Sequence, residues 1–251
     1  MSTQSTFEKA PGLVSRGQRR DERVEAPPLS ISLTRARVKD VQDVVLATAL
    51  LTLCAPLMLL VALAIKLDSR GPVFFVQERV GVRRRRVGRW IVHEPARFRF
   101  YKFRSMVRDA DPSLHEAHIE EYLAGSGANG STKSRFKLAQ DPRVTRVGRL
   151  IRRTSLDELP QLLNVLKRQM SLVGPRPVPP YEGDHYVANY PDRFSMLPGL
   201  TGLWQVSGRC DVSAEDMARL DLDYVQNHSL LLDLRILMQT VPAVLSGRGA
   251  G

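Results

Sequence analysis

Twenty-two consecutive uncharged residues, VVLATALLTLCAPLMLLVALAI from Val44 to Ile65, constrain this chain more than anything else in it. At about 1.5 Å per residue they make a helix roughly 33 Å long, against about 30 Å for a hydrocarbon core. The alternative is a core helix buried inside a soluble domain. Pro56, near the middle, removes one backbone hydrogen bond and clashes with the preceding turn, so a break or kink is expected there. Basic residues flank both ends: Arg35, Arg37 and Lys39 before, and Lys66, Arg70, Arg79 and the Arg83–Arg86 run after. The positive-inside rule therefore names no side to export, and spanning and re-entrant placements both stay open. A secretory signal does not fit, because the run is late and long and no small-residue cleavage site follows it.

The 251 residues carry 37 Lys and Arg against 26 Asp and Glu, a net charge of +11, with 43% hydrophobic residues. This balance suits a packed core and points to an anionic partner: nucleic acid, phosphorylated small molecules or an acidic membrane surface. Cys54 and Cys210 are too few for a disulfide framework and lie in no metal-ligand spacing. The first 38 residues, charged and without periodicity, read as a flexible tail.

Beyond Gly71-Pro72, the alternation of basic and aromatic residues from Arg97 to Arg104 predicts a strand with one basic and one aromatic face. Helices are predicted over Pro112–Leu123, ended by the Gly125–Gly130 loop, over Arg143–Arg153, and through Ser155–Leu166, where Leu156, Leu159, Leu162, Leu163 and Leu166 share a face. Pro175, Pro177, Pro179 and Pro180 impose an extended segment, and Pro198-Gly199, Gly202 and Gly208 a tight loop. The apolar stretch Leu230–Leu245 is interrupted by Asp233 and Arg235, so it reads as a surface or packing helix and not a second crossing.

Two readings stand for the adjacent pair Asp157-Glu158. One is capping: Ser155 and Glu158 have capping-box spacing, Asp157 could itself be the N-cap, and Pro160 fits a first turn. The other is phosphoryl transfer, with a carboxylate nucleophile and a metal-binding carboxylate beside phosphate-holding arginines. Arg143, Arg146, Arg149, Arg152 and Arg153 form a basic stripe that suits solvent, lipid headgroups or nucleic acid. An uncharged 22-residue segment in the same chain weighs against nucleic acid. Arg176, between Pro175 and Pro177, is held in extended backbone before any ligand arrives, which suits bidentate phosphate binding or a plain turn.

Together Lys102–Met106 (KFRSM), Asp141–Gly148 (DPRVTRVG), Arg152–Gln161, Ser171–Pro177 (SLVGPRP) and Pro198–Arg209 (PGLTGLWQVSGR) resemble the bacterial sugar transferases, the monotopic phosphoglycosyl transferases also called polyprenyl-phosphate hexose-1-phosphate transferases. The resemblance runs co-linearly from about Lys39 to Leu245 and matches the short, catalytic-core form. It implies a mostly helical α/β-type catalytic domain with short strands and a hairpin, at 73–251. It also implies a re-entrant membrane helix-hairpin broken near Pro56, at 39–72, in the bacterial inner membrane, with the tail at 1–38 and the catalytic domain on the cytoplasmic face.

The implied reaction has Asp157 attack a nucleotide-sugar donor, with UDP-galactose and UDP-glucose favoured by the PGLTGLWQVSGR form. The sugar-1-phosphate then passes to undecaprenyl phosphate, the first membrane step of exopolysaccharide or glycoconjugate synthesis. By the same resemblance Glu158 holds Mg²⁺, and Lys102, Arg152 and Arg176 bind phosphate. Asp221, Arg153 and Arg209 support the site. The lipid bilayer is a partner and nucleic acid is not; a homodimer stays open. A membrane-tethered basic adaptor without chemistry is the alternative. One departure stands out: the Gly81–Tyr101 segment is about ten residues longer than the family's short hairpin, with Arg83–Arg86, Trp90, His93 and Glu94 in the extra length, either a headgroup-binding excursion or a longer loop.

Overall fold

The computed structural model describes residues 30–111, 113, 117, 119–120, 141–207 and 213–245. Helix α1 runs from Leu33 to Asp68, 36 residues, with the Ser32 hydroxyl accepting from Arg35 N at its start. Pro56 lies inside it and the helical assignment continues past it. Residues 30–38, expected within the tail, are ordered: β1 (Ser30–Ser32) adds a strand to a hairpin, and α1 begins at Leu33, ahead of the expected start at Lys39. Pairing with a neighbouring strand supplies what local composition lacked.

Only 11% of the most apolar 18-residue window of α1 is buried. A soluble-core helix would be covered, so the exposed row of Leu53, Leu57, Leu59, Leu60 and Leu63 calls for an apolar medium. The protein holds α1 on both flanks. Ala47 enters the main core beside Phe100, Leu162 and Leu172, while Val61 and Ile65 pack with Phe103 and Ile151. Just past its C-terminus Arg104, the arginine of KFRSM, donates to the carbonyls of Ser69 and Arg70 and reaches Ile65 O at 3.5 Å, tying the chain after α1 to the strand.

The hairpin β2 (Phe74–Val87) and β3 (Trp90–Phe103) stays in antiparallel register over all 14 pairs, turning at Gly88-Arg89 with Gly88 at φ +58°. The extra length noted in the sequence is therefore paired strand and not loop. The two-faced strand is found only in part. Phe98 and Phe100 share one face and Arg97 and Arg99 the other, but the order then inverts, so that Lys102 lies on the face of Phe100 and Phe103 on that of Arg99. The inversion lets Lys102 leave the aromatic face for the site while Phe103 fills the second cluster.

Helix α2 (Arg146–Arg153) is capped by Thr145, whose hydroxyl accepts from Gly148 N. Gly148 is required by contact, since a Cβ there would fall 2.0 Å from the Ser105 carbonyl oxygen. The predicted Ser155–Leu166 helix divides into a 3₁₀ turn (Leu156–Gln161) and α3 (Leu162–Leu166) because Pro160 cannot extend an α-helical ladder from its preceding turn. Asn164, fully buried, bonds Arg99 O, Gln169 and Tyr101 N, fastening α3 to β3.

Then follow β4 (Ser171–Val173), α4 (Pro180–Asn189, started by the last of the prolines), a 3₁₀ turn (Pro191–Ser195), β5 (Gly199–Thr201) parallel to β4, α5 (Leu203–Ser207), α6 (Ala214–Asn227) and α7 (Leu230–Leu245). The fold is mostly helical, as expected, although the two hairpin strands are long. Of the predicted 112–123 helix only residues 113, 117, 119 and 120 are described, and they are helical; the Gly125–Gly130 loop, Arg209 and Cys210 lie outside the described residues. Helix α7 is a packing helix: Asp233, wholly buried, receives Lys39 Nζ at 2.8 Å and the Tyr224 hydroxyl at 2.7 Å, and Lys39 also bridges to Asp43 at 3.0 Å. Burial pushes Asp233 up, but the His228, Lys39 and Tyr224 contacts outweigh it and hold its carboxyl below the ordinary value.

Candidate active site

The acidic pair sits where three elements meet. Ser155, at φ +54°, turns the chain sharply out of α2, and Asp157 and Glu158 occupy the first turn of the 3₁₀ segment. Ser155 makes no side-chain capping bond, and Asp157 lies inside the turn rather than ahead of it, so neither capping arrangement is formed. A left-handed serine costs about 1 kcal/mol relative to ordinary backbone, a strain often retained beside functional groups. Asp157 is buried at 7% exposure and Glu158 is half-buried.

Lys102, from the end of β3, donates to Glu158 Oε1 at 2.8 Å and stands 3.7 Å from Asp157 Oδ2. Arg152 approaches from α2, its Nε bound to the Ser105 hydroxyl at 2.9 Å. Burial lowers the Arg152 guanidinium, and the charges of Asp157 and Asp141 oppose that shift. Arg153, one residue on, is exposed and has no ion pair to a described residue, so it does not join the cluster. Arg146 and Arg149 are exposed as well, while Arg143 is tied to Asp141 at 2.7 Å. The stripe read from the sequence is thus split between solvent, a local clasp and one inward arginine.

Arg176 is brought in by the short parallel pair. Gly174 N donates to Thr201 O and Gly199 N to Pro175 O; a Cβ on Gly174 would meet Leu197 O at 2.4 Å, which explains a glycine in SLVGPRP. Asp221 accepts from the Arg176 backbone and pairs with Arg193 Nε at 2.7 Å, while Arg193 Nη2 donates to Arg176 O at 2.7 Å. Burial raises the Asp221 carboxyl, partly offset by Arg193. Asp221 and Arg193 together hold the Arg176 main chain in place.

Three participants carry no signal in the sequence. Arg79, read there only as a flanking charge, is buried and lies 5.2 Å over the Phe100 ring, because Val80 N bonds Val178 O and draws β2 against the Pro177 segment. Burial, then repulsion from Arg176, brings its guanidinium down to about 10, with Glu182 and Glu158 opposing. Glu182 and Arg193 are likewise buried partners. The alternating FFVQERVGV pattern hides Arg79 among strand residues, and Arg193 sits in a polar loop with no periodic signal.

Among the described residues no group of three or more His, Cys, Asp or Glu could form a protein-built metal cage. One or two carboxylates plus substrate phosphate oxygens is nonetheless a donor set Mg²⁺ commonly takes, and Glu158 beside Asp157 would fit the protein share.

A buried aspartate next to a glutamate, with Lys102 and Arg152 beside them and an uncovered apolar helix in the same chain, marks a membrane-associated protein with an acidic pair set among cations. The chain belongs to the bacterial sugar transferase family, whose sequence profile matches residues 34–247. It is 41% identical over 208 residues to the exopolysaccharide production protein ExoY of Sinorhizobium fredii, covering 83% of this chain and 85% of that one. It is 42% identical over 217 residues to a UDP-glucose:undecaprenyl-phosphate glucose-1-phosphate transferase of Caulobacter vibrioides (83% and 70% covered), and 41% identical over 208 residues to an undecaprenyl-phosphate galactose phosphotransferase of Salmonella typhimurium (83% and 40% covered).

Proposed function

We propose that this protein is a phosphoglycosyl transferase that moves a hexose-1-phosphate from a UDP-sugar, UDP-glucose or UDP-galactose, to undecaprenyl phosphate in exopolysaccharide synthesis. The observation that carries the reading is the position of Asp157, buried 3.7 Å from Lys102 and within electrostatic reach of Arg152, with Arg79 acting on the neighbouring Glu158 and Arg176 on Arg79.

In the first step an Asp157 carboxylate oxygen attacks the sugar-linked phosphorus. The bond from that phosphorus to the bridging oxygen breaks, and UMP leaves with the electron pair, giving an aspartyl-phosphosugar ester. In the second, a phosphate oxygen of undecaprenyl phosphate attacks the same phosphorus, and Asp157 departs as carboxylate. Lys102 and Arg152 bear on the attacking side; Arg79 and Arg176 face the phosphates across the site. Cations preset by packing stabilise charge that spreads over phosphate oxygens in the transition state. Glu158 would hold Mg²⁺ together with the diphosphate, and the ion supplies charge neutralisation there.

The membrane reading is a re-entrant α1, with both ends on the cytoplasmic face of the inner membrane. It is supported by the contacts of Ala47 and of Val61–Ile65 with one catalytic body, while the stretch between is exposed. Cysteines placed near Met1 and near Gly251 should both resist labelling from outside the cell; reaction of one alone overturns it.

The test of the reaction uses purified protein in detergent with undecaprenyl phosphate, Mg²⁺ and a panel of nucleotide sugars. Wild type releases UMP with at least one UDP-hexose, and Asp157→Asn releases none while still partitioning with membranes. No release with any sugar, or normal turnover by the variant, refutes the assignment; a basic adaptor would give the first result.

A further inference from the structure

The distal half of the hairpin, with Arg83 to Arg86, is not used by the reaction, yet it builds a cavity. A cleft of about 540 Å³ lies between the first two turns of α1 and the distal half of the hairpin, in the size range of ligand sites. Its wall carries Arg37, Arg83, Arg84, Arg97 and Arg168 against a single acid, Asp40. Asp40 is committed to Arg84 at 2.6 Å. Arg83 and Arg97 hold Glu94 and Glu78 in exposed pairs, a kind that contributes little and exchanges readily for a better anion. Arg37 and Arg168 have no carboxylate within ion-pair distance among the described residues.

Arg168 is set on the cleft by the end of α3. Its backbone is left-handed, at φ +55°, where glycine would be unstrained, and the turn is held by bonds to Val165 O and, next door, from Gln169 N to Asn164 O. This is the left-handed residue that closes α3, and it turns the chain so that Arg168 lines the cleft. The floor is apolar, with Val82, Ile91 and Phe98. Along β3 the cleft at Arg97 lies five residues from Lys102, about 17 Å, so it is not the reaction site. Its α1 wall ends at Asp40, one turn or about 6 Å before the uncharged run begins at Val44, which sets the cleft at headgroup depth.

We infer that this cleft binds the phosphate of an acidic phospholipid headgroup, the arginines taking the phosphodiester and the apolar floor the adjoining glycerol carbons. Such a lipid would pin the first turns of α1 to the hairpin and fix the depth of the catalytic body. Binding there is independent of the transferase reaction.

The test uses the full chain in neutral detergent micelles doped with either phosphatidylglycerol or phosphatidylcholine, with retained lipid counted by native mass spectrometry. Wild type should keep one phosphatidylglycerol and no phosphatidylcholine. Arg37→Gln/Arg168→Gln should weaken retention about thirty-fold, the effect of removing two basic residues from an anionic membrane surface. Arg168→Gly, which relieves the backbone and so folds at least as well, should weaken it about five-fold. Gel filtration and UMP release should stay unchanged in both. Equal retention of the two lipids, or retention indifferent to these substitutions, overturns the proposal. Displacement of the lipid by an equal occupancy of glycerol 3-phosphate overturns the lipid assignment in favour of a soluble phosphate.

Discussion

Replacing Arg193 with methionine separates what holds this protein together from what makes it act. Arg193 and Asp221 form an ion pair at 2.7 Å with both side chains 1% exposed, and the guanidinium stacks 4.4 Å over Tyr186. Removing the cation leaves a buried carboxylate uncompensated, a loss of about 3–5 kcal/mol. For a chain of this size that is a fall in Tm of about 6–20 °C. Asp221 already titrates above its unfolded value because of burial, so its favourable contribution to folding is present below about pH 3.8 and lost as pH rises through its folded value. Without Arg193 that value climbs further.

The deficit of Arg193→Met should therefore be largest at high pH and shrink as pH falls and the carboxyl takes a proton. The double variant Arg193→Met/Asp221→Leu removes both charges and should recover stability to within about 2 kcal/mol of wild type. It should not recover activity, because Arg176 O no longer has the donor that fixed it; UMP release stays down about ten-fold or more. Thermal unfolding in detergent across pH, with UMP release on the same samples, reads both. A pH-independent deficit, or a double variant as unstable as the sum of its parts, refutes the buried-charge account. Restored activity in the double variant refutes the positioning role.

Arg79→Met should lower UMP release about 10²-fold or more, as removal of one preset charge does, yet leave stability within about 1 kcal/mol, because it relieves burial and repulsion from Arg176. A parallel fall in Tm would make Arg79 structural instead. Gly174→Ala forces a Cβ into the Leu197 carbonyl and should destabilise by about 1–3 kcal/mol while raising KM for the nucleotide sugar through Arg176; unchanged KM would disconnect β4 from the site. Arg104→Met should leave the Ser69 and Arg70 carbonyls after α1 without their donor, increasing amide hydrogen exchange around Lys66–Gly71 and costing about 1–3 kcal/mol; unaltered exchange there refutes the anchoring role.

Asp157, Glu158, Arg152 and Arg176 stand out from local residue order, an acidic pair, an arginine-rich turn and a proline-framed arginine, whereas Lys102 is marked only by the resemblance to the family. Arg79 and Arg193 do not stand out, since nothing within a few residues of either differs from an ordinary strand or loop. Their roles come from partners 98 and 17 residues away, Pro177 and Arg176. Local chemistry also misjudged the first turns of α1, the unbroken pairing of the long hairpin and the division of the Ser155–Leu166 helix, each decided by a partner strand or by a proline's missing donor.

What the sequence by itself determined was the apolar helix, the excess of arginine and the acidic pair, because hydrophobicity, charge and residue order need no neighbours to be read. The tertiary structure decided which of the cations are catalytic candidates. Only folding distinguishes an arginine packed against a hydroxyl near the acidic pair or over an aromatic ring, such as Arg152 or Arg79, from one left in solvent, such as Arg153, and the difference between them is desolvation, a property of the packed chain.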